Sequence, residues 1–249
     1  MRALIALALA GLCGACASTE TIQFQPKPQQ ESLVRDGNPG LVSRQKSSVV
    51  IVRPAARQFA AGGRPVFIVG VNNLSNVPLQ FRVSDIQVVQ TVNGQAASLK
   101  VITYEELVAE ERTRQIFAAV ATGLAVGANA YSASQAGRYN STSTVYTPRG
   151  TYQVNTVGYS PTANAVAQAN ASAQNEAIVS ATIELGQQNM ATLERGVIKD
   201  NTMLPGEWYG GQLHVAPLIS SSDGPKVYSI TIMVGNDRHE INIVQDRTR

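Results

Sequence analysis

Between Gln115 and Asn175 the chain carries only two charged side chains, Arg138 and Arg149. About a quarter of the residues in an ordinary soluble domain are charged, so this segment must be covered by its own chain, by another copy or by a bilayer. Its periodicity is helical at both ends. Tyr104 to Arg114 opens a helix with Glu105, Glu106, Glu110 and Glu111 early, where the macrodipole favours acids and where, with Arg112 and Arg114, they read as a solvated face. Ile116, Phe117, Val120 and Leu124 continue an apolar face at spacings of three and four. A second helix, about Thr162 to Arg195, carries Val166, Ile178, Ile183, Leu185, Met190 and Leu193 among alanines. Between them, residues 139–159 are rich in Thr, Tyr and Val and fold at Pro148-Arg149-Gly150, as a polar β-hairpin or loop. Residues 104–196 are thus read as one long Ala/Gly-rich helical hairpin insertion.

Ala119, Gly123 and Gly127 stand four apart, a row of small residues that lets another helix backbone approach closely. Three uses are open: packing of one insertion helix on the other within the chain, self-association between chains, and membrane insertion. Asn129, Ser132, Ser134 and Gln135 make the last costly.

On either side of the insertion the period changes to two. Ser48 to Arg53, Val66 to Val71, Leu79 to Val83, Ile86 to Val89 and Ala97 to Tyr104 read as strands. After the insertion so do Val197 to Met203, Gln212 to Val215, Val227 to Val234 and Glu240 to Val244. Leu204-Pro205-Gly206-Glu207 is a turn, and Gly235-Asn236-Asp237 closes a hairpin. Neither group has enough strands alone, so 47–103 and 197–249 are expected to form one antiparallel β-sandwich. This mainly β pattern resembles the small immunoglobulin-like domains of bacterial envelope lipoproteins, a likeness of architecture that carries no activity.

The first residues give an address. Met1-Arg2 is followed by the apolar run Ala3 to Leu12 and then Cys13-Gly14-Ala15-Cys16. Ten apolar residues cover about half of the ~30 Å hydrocarbon core, so 1–15 reads as a signal peptide. Gly14-Ala15-Cys16 resembles the lipobox of bacterial lipoproteins, with Cys13 where that motif usually has leucine. The resemblance implies lipidation of Cys16 and cleavage before it. Cys13 is the competing acceptor, but it would put Leu12 where a small residue is required. A redox or metal pair at Cys13 and Cys16 needs a folded scaffold, which a signal peptide lacks. Residue 17 is Ala and not the aspartate that resembles an inner-membrane retention signal in enterobacterial lipoproteins, so the resemblance implies the outer membrane, periplasmic face, with the bilayer held through the acylated Cys16. Residues 16–46, with Pro26-Lys27-Pro28 and Asp36-Gly37-Asn38-Pro39-Gly40, are expected to be the lipidated cysteine and a flexible tether, Thr21 to Gln25 adding at most a short edge strand.

Catalytic signals are weak. The histidines are His214 and His239; His239 lies beside Asp237 and Glu240, but Asp237-Arg238-His239-Glu240 reads more simply as the polar entry of a strand. No nucleophile elbow, zinc-binding His-Glu-x-x-His, phosphate loop or EF-hand loop occurs in the sequence. No catalytic residue, cofactor site or metal site is assigned, and the net charge of +3, unclustered, excludes a nucleic-acid footprint. Trp208-Tyr209 is an aromatic pair that serves either as a binding anchor or as a cap on the sandwich edge. The expectation is a non-enzymatic envelope lipoprotein that binds a protein partner or its own copies through the insertion. The alternative is an oligomeric export or pore component of the outer membrane.

Overall fold

The computed structural model describes residues 19–35, 37–56, 58–60, 63–217 and 225–247. It is mainly β, with several antiparallel sheets and two helices. The described residues divide into two compact units, one made of those up to Leu107 and from Leu193 onward, the other of Val108–Thr192.

In the first unit, one six-stranded sheet contains, in spatial order, β5 (Gln58–Ala60), β1 (Thr19–Gln25), β16 (Asp237–Arg247), β15 (Lys226–Val234), β8 (Gln87–Val92) and β9 (Gln95–Leu99). The other contains β10 (Val101–Ile102), β14 (Trp208–Val215), β6 (Val66–Asn73), β4 (Ser48–Pro54), β3 (Asn38–Arg44) and β2 (Gln30–Arg35). A small ladder joins β13 (Asn201–Met203) to β7 (Leu79–Phe81). Strand β15 shows why these segments pair. Its burial alternates without a break, so Tyr228, Ile230, Ile232 and Val234 point inward while Val227, Ser229 and Thr231 do not. Leu41, Val50, Phe67, Val69 and Leu213 from the second sheet enter the same core. Both sheets therefore bury one face on a shared interior, the largest stabilising term available to a chain of this kind.

The turns follow their residues. Asn93 and Gly94 both have positive φ and join β8 to β9 in two residues, as a twisted hairpin requires. Gly235 opens the β15–β16 turn, where Val234 pairs with Asp237. The chain changes sheets at Lys100, so the expected strand from Ala97 to Tyr104 is divided between β9 and β10. The strand expected from Val197 is reduced to β13, with Val197 making one isolated bridge to Gln212.

The tether expected over 16–46 is not what the described part of that segment forms. Residues 19–44 supply β1, β2 and β3. Ile22 and Leu41 enter the core, and β1 pairs with β16 along its length. The prolines that suggested an extended linker act as punctuation: Pro26 follows β1, Pro28 lies in the turn before β2, and Pro39 sits at the start of β3.

In the second unit, α1 (Tyr104–Gln135) enters from the first unit and α2 (Pro161–Gly196) leaves toward it. Between them β11 (Arg138–Thr147) and β12 (Gly150–Tyr159) form an antiparallel hairpin in full register, settling the choice between hairpin and loop. The start of α1 is a capping box. The Thr103 hydroxyl accepts from the Glu106 amide at 3.4 Å, and the Glu106 carboxylate accepts from the Thr103 amide at 3.2 Å.

Candidate assembly surface

The two helices of Val108–Thr192 meet along a polar seam. The hydroxyls of Thr122 and Thr182 are 2.9 Å apart, and one heptad further along Asn129 donates to Asn175 at 3.0 Å. Toward the other end Asn189 donates to the buried Glu111 carboxylate at 3.0 Å, and Gln115 donates to the Gly186 carbonyl at 3.1 Å. A Cβ at Gly186 would meet the Gln115 side chain at 3.1 Å, so glycine there gives the amide room. At the hairpin end Asn164 donates to the Ala133 carbonyl at 3.1 Å. Positions seven apart on each helix thus supply matched polar partners, the spacing of a coiled-coil seam with hydrogen bonds in place of leucines.

The apolar face of α1 points away from this seam. Phe117 is 70% exposed and Leu124 72%, with Ile116, Val120 and Tyr131 similarly open. Ala119, Gly123 and Gly127 lie on that outer side. A Cβ added at Gly123 or Gly127 would meet nothing within 4 Å. The small-residue row therefore does not join α1 to α2; the seam runs through Glu111, Gln115, Thr122, Asn129 and Ala133 instead. Helix α2 is mixed outside, with Val166, Val179, Ile183 and Leu185 exposed among Gln168, Asn170, Gln174 and Glu176. By length and composition α1 is apolar enough to cross a membrane. The amides on the outside of its partner helix would be costly against lipid.

All but one residue of β11 and β12 is exposed. Tyr139 lies across Gly158, where a Cβ would fall 2.3 Å from the phenol ring.

Elsewhere the expected candidates become structural. Tyr209 packs edge-on to Phe81, accepts from the Lys199 amide at 2.9 Å and donates to the Lys199 carbonyl at 3.0 Å. It is a brace, and not an anchor offered to a partner. Its neighbour Trp208 is 56% exposed at the start of β14, its ring 3.9 Å from where a Cβ on Gly70 would lie. Glu106 forms no shared site with Glu111, since it is spent on Lys100 and on the Thr103 amide of the cap, which in that order hold its carboxyl below the usual range.

His239 is buried completely. Its Nε2 lies 2.8 Å from the Ser48 hydroxyl and its Nδ1 3.0 Å from the Ser43 hydroxyl, while Ser48 donates to Asp237 at 2.8 Å. Both ring nitrogens therefore face a serine hydroxyl, and Asp237 is held by Ser48 and by the Ser47 amide at 2.7 Å. Burial pushes the imidazole pKa down, against the opposing charge of Asp237, so the ring is neutral. With no exposed atom His239 cannot reach a substrate, and the relay ties β3 and β4 of one sheet to β16 of the other. Among the described residues no group of three His, Cys, Asp or Glu side chains is placed to hold a metal. Cys13 and Cys16 lie outside the described residues.

The missed residues are those of the seam. Their signal, Thr and Asn recurring every seven positions, contains no apolar periodicity and is legible only when both helices are aligned. No protein-family model, curated protein or solved structure matches the chain.

Proposed function

We propose that this chain is an envelope lipoprotein, held in the outer membrane by a lipid on Cys16, that assembles with copies of itself through its helical hairpin. The observation carrying this reading is the inverted distribution in the hairpin: hydrogen-bonding groups face inward and Ile116, Phe117, Val120 and Leu124 face outward. Each such side chain is worth about 1.5–3 kcal/mol when fully buried. The row Ala119, Gly123, Gly127 beside them is open to the close approach of a second helix. A bilayer fits this face less well, because α2 carries exposed amides and Glu176 on its outside.

The two-sheet unit acts as the carrier and is immunoglobulin-like in general architecture, a reading supported by two antiparallel sheets around one core. The enclosure of His239 supports reading that histidine as structural.

The test is the double variant Phe117→Asn with Leu124→Asn. Both side chains are exposed within one copy, so folding should be kept and association lost on a sizing column. Unchanged association would reject the α1 face as the interface.

A further inference from the structure

The β11–β12 hairpin has the construction of one section of a barrel wall. We propose that hairpins from several copies of this chain join edge to edge into a closed β-barrel that crosses the outer membrane and conducts small anions; this rests on the self-association put forward above.

Each strand has ten residues. At ~3.3 Å per residue that is about 33 Å of chain, which at a tilt of ~40° rises about 25 Å, the height of the apolar band of outer-membrane barrels. The sheet holds just these two strands among the described residues, and an isolated hairpin is marginal in water. Every copy presents one free β11 edge and one free β12 edge. Head-to-tail addition of β11 to the next copy's β12 satisfies both and closes into a ring.

The register sorts the side chains. Tyr139, Val145, Tyr152 and Val154 share one face with Ser, Thr and Gly, and that face holds no amide and no charge. Every amide of the hairpin, Asn140, Gln153 and Asn155, lies on the other face with Arg138; Thr142, Thr144 and Thr151 are there too, and so are Tyr146, Val157 and Tyr159. The first face suits lipid, with Tyr139 and Tyr152 near opposite ends where interfacial aromatics belong. The second suits the wall of a water-filled lumen, along which Thr142 donates to its cross-strand neighbour Asn155 at 2.7 Å. Arg138 stands on the lumen side at one mouth, and the sequence has no carboxylate between Gln115 and Asn175. A ring of arginines, one per copy, raises the local anion concentration and favours anion passage. Closure at eight strands or more takes about four copies or more.

The test uses the full lipidated protein in a planar bilayer of phosphatidylethanolamine and phosphatidylglycerol under a potassium chloride gradient. Discrete current steps are expected, with a reversal potential displaced toward that of chloride. Arg138→Gln should keep the steps and move the reversal potential toward zero. Replacing 139–158 by a Gly/Ser linker should keep the oligomer mass and abolish the steps. An oligomer that is silent in the bilayer would overturn the barrel while leaving self-association standing. Cation selectivity, an unmoved reversal potential in Arg138→Gln, or steps from the hairpin-less variant would overturn it too. A monomeric parent protein would remove both readings together.

Discussion

The hydroxyls of Thr122 and Thr182 face each other at 2.9 Å across the two long helices, in the place where a soluble helix pair would put two leucines. The Thr182 hydroxyl also lies 2.9 Å from the Ile178 carbonyl and donates to it. Thr122 then donates to Thr182, and the layer is saturated. The inside of the hairpin is thus held by geometry as much as by apolar burial, and its apolar residues are released to the outside.

That layer gives the first prediction. Thr122→Val should cost about 1 kcal/mol, because it removes the donor and leaves a partly buried oxygen unmatched. Thr182→Val should cost a similar amount, and the double variant should cost less than the sum, since no unmatched group then remains. Thermal unfolding of the four proteins forms a double-mutant cycle; additive losses would show that the hydroxyl pair does not interact.

A second prediction concerns pH. The folded pKa of His239 is depressed below its ordinary 6.5 by burial. The unfolded chain therefore binds a proton that the native relay refuses, and stability must fall as pH drops below about 6.5, levelling off once the folded pKa is passed. The contribution is fully present above the unfolded value. Urea unfolding at pH 7.5 and pH 5 should show the loss, and His239→Gln should reduce it. Removing the imidazole should also cost about 1–3 kcal/mol at neutral pH by taking the ring away from the buried Ser43 hydroxyl. An equal acid dependence in His239→Gln would assign it to another group.

A third concerns the buried pair of Glu20 and Lys226, in contact at 2.7 Å with Gln245 also donating to the same carboxylate. Lys226→Met should destabilise by about 3–5 kcal/mol, since it strands a buried carboxylate. Adding Glu20→Gln to that variant should recover a large part of the loss. No recovery would mean that the lysine acts through packing.

A fourth concerns Gly210, where a Cβ would fall 2.3 Å from the Val69 carbonyl oxygen on the neighbouring strand. That atom is backbone and cannot swing away. Gly210→Ala should cost about 3 kcal/mol, read by chemical denaturation. A neutral substitution would show that β14 and β6 separate easily.

The strands with regular alternation, such as Val227 to Val234, are legible in the sequence because one residue in two meets the core. The start of α1 is legible too, through Glu105 and Glu106 in its first turn. The stretch from Thr19 to Arg44 hides its strands, because Pro26, Pro28 and Pro39 dominate the composition while Ile22 and Leu41 mark the inward face only sparsely. The use of Ala119, Gly123 and Gly127 is hidden for another reason. Which face of α1 meets α2 depends on polar partners such as Asn129 and Asn175, separated by forty-five residues of chain whose pairing no single-helix period reveals. Trp208 and Tyr209, adjacent in sequence, part company because alternate residues of a strand face opposite ways.

Self-association through the outward face of α1 is read most directly from the mass of residues 16–249 carrying Cys16→Ser, by light scattering on a sizing column. A defined oligomer is expected, and Phe117→Asn with Leu124→Asn should dissolve it. A clean monomer at every concentration would contradict self-association.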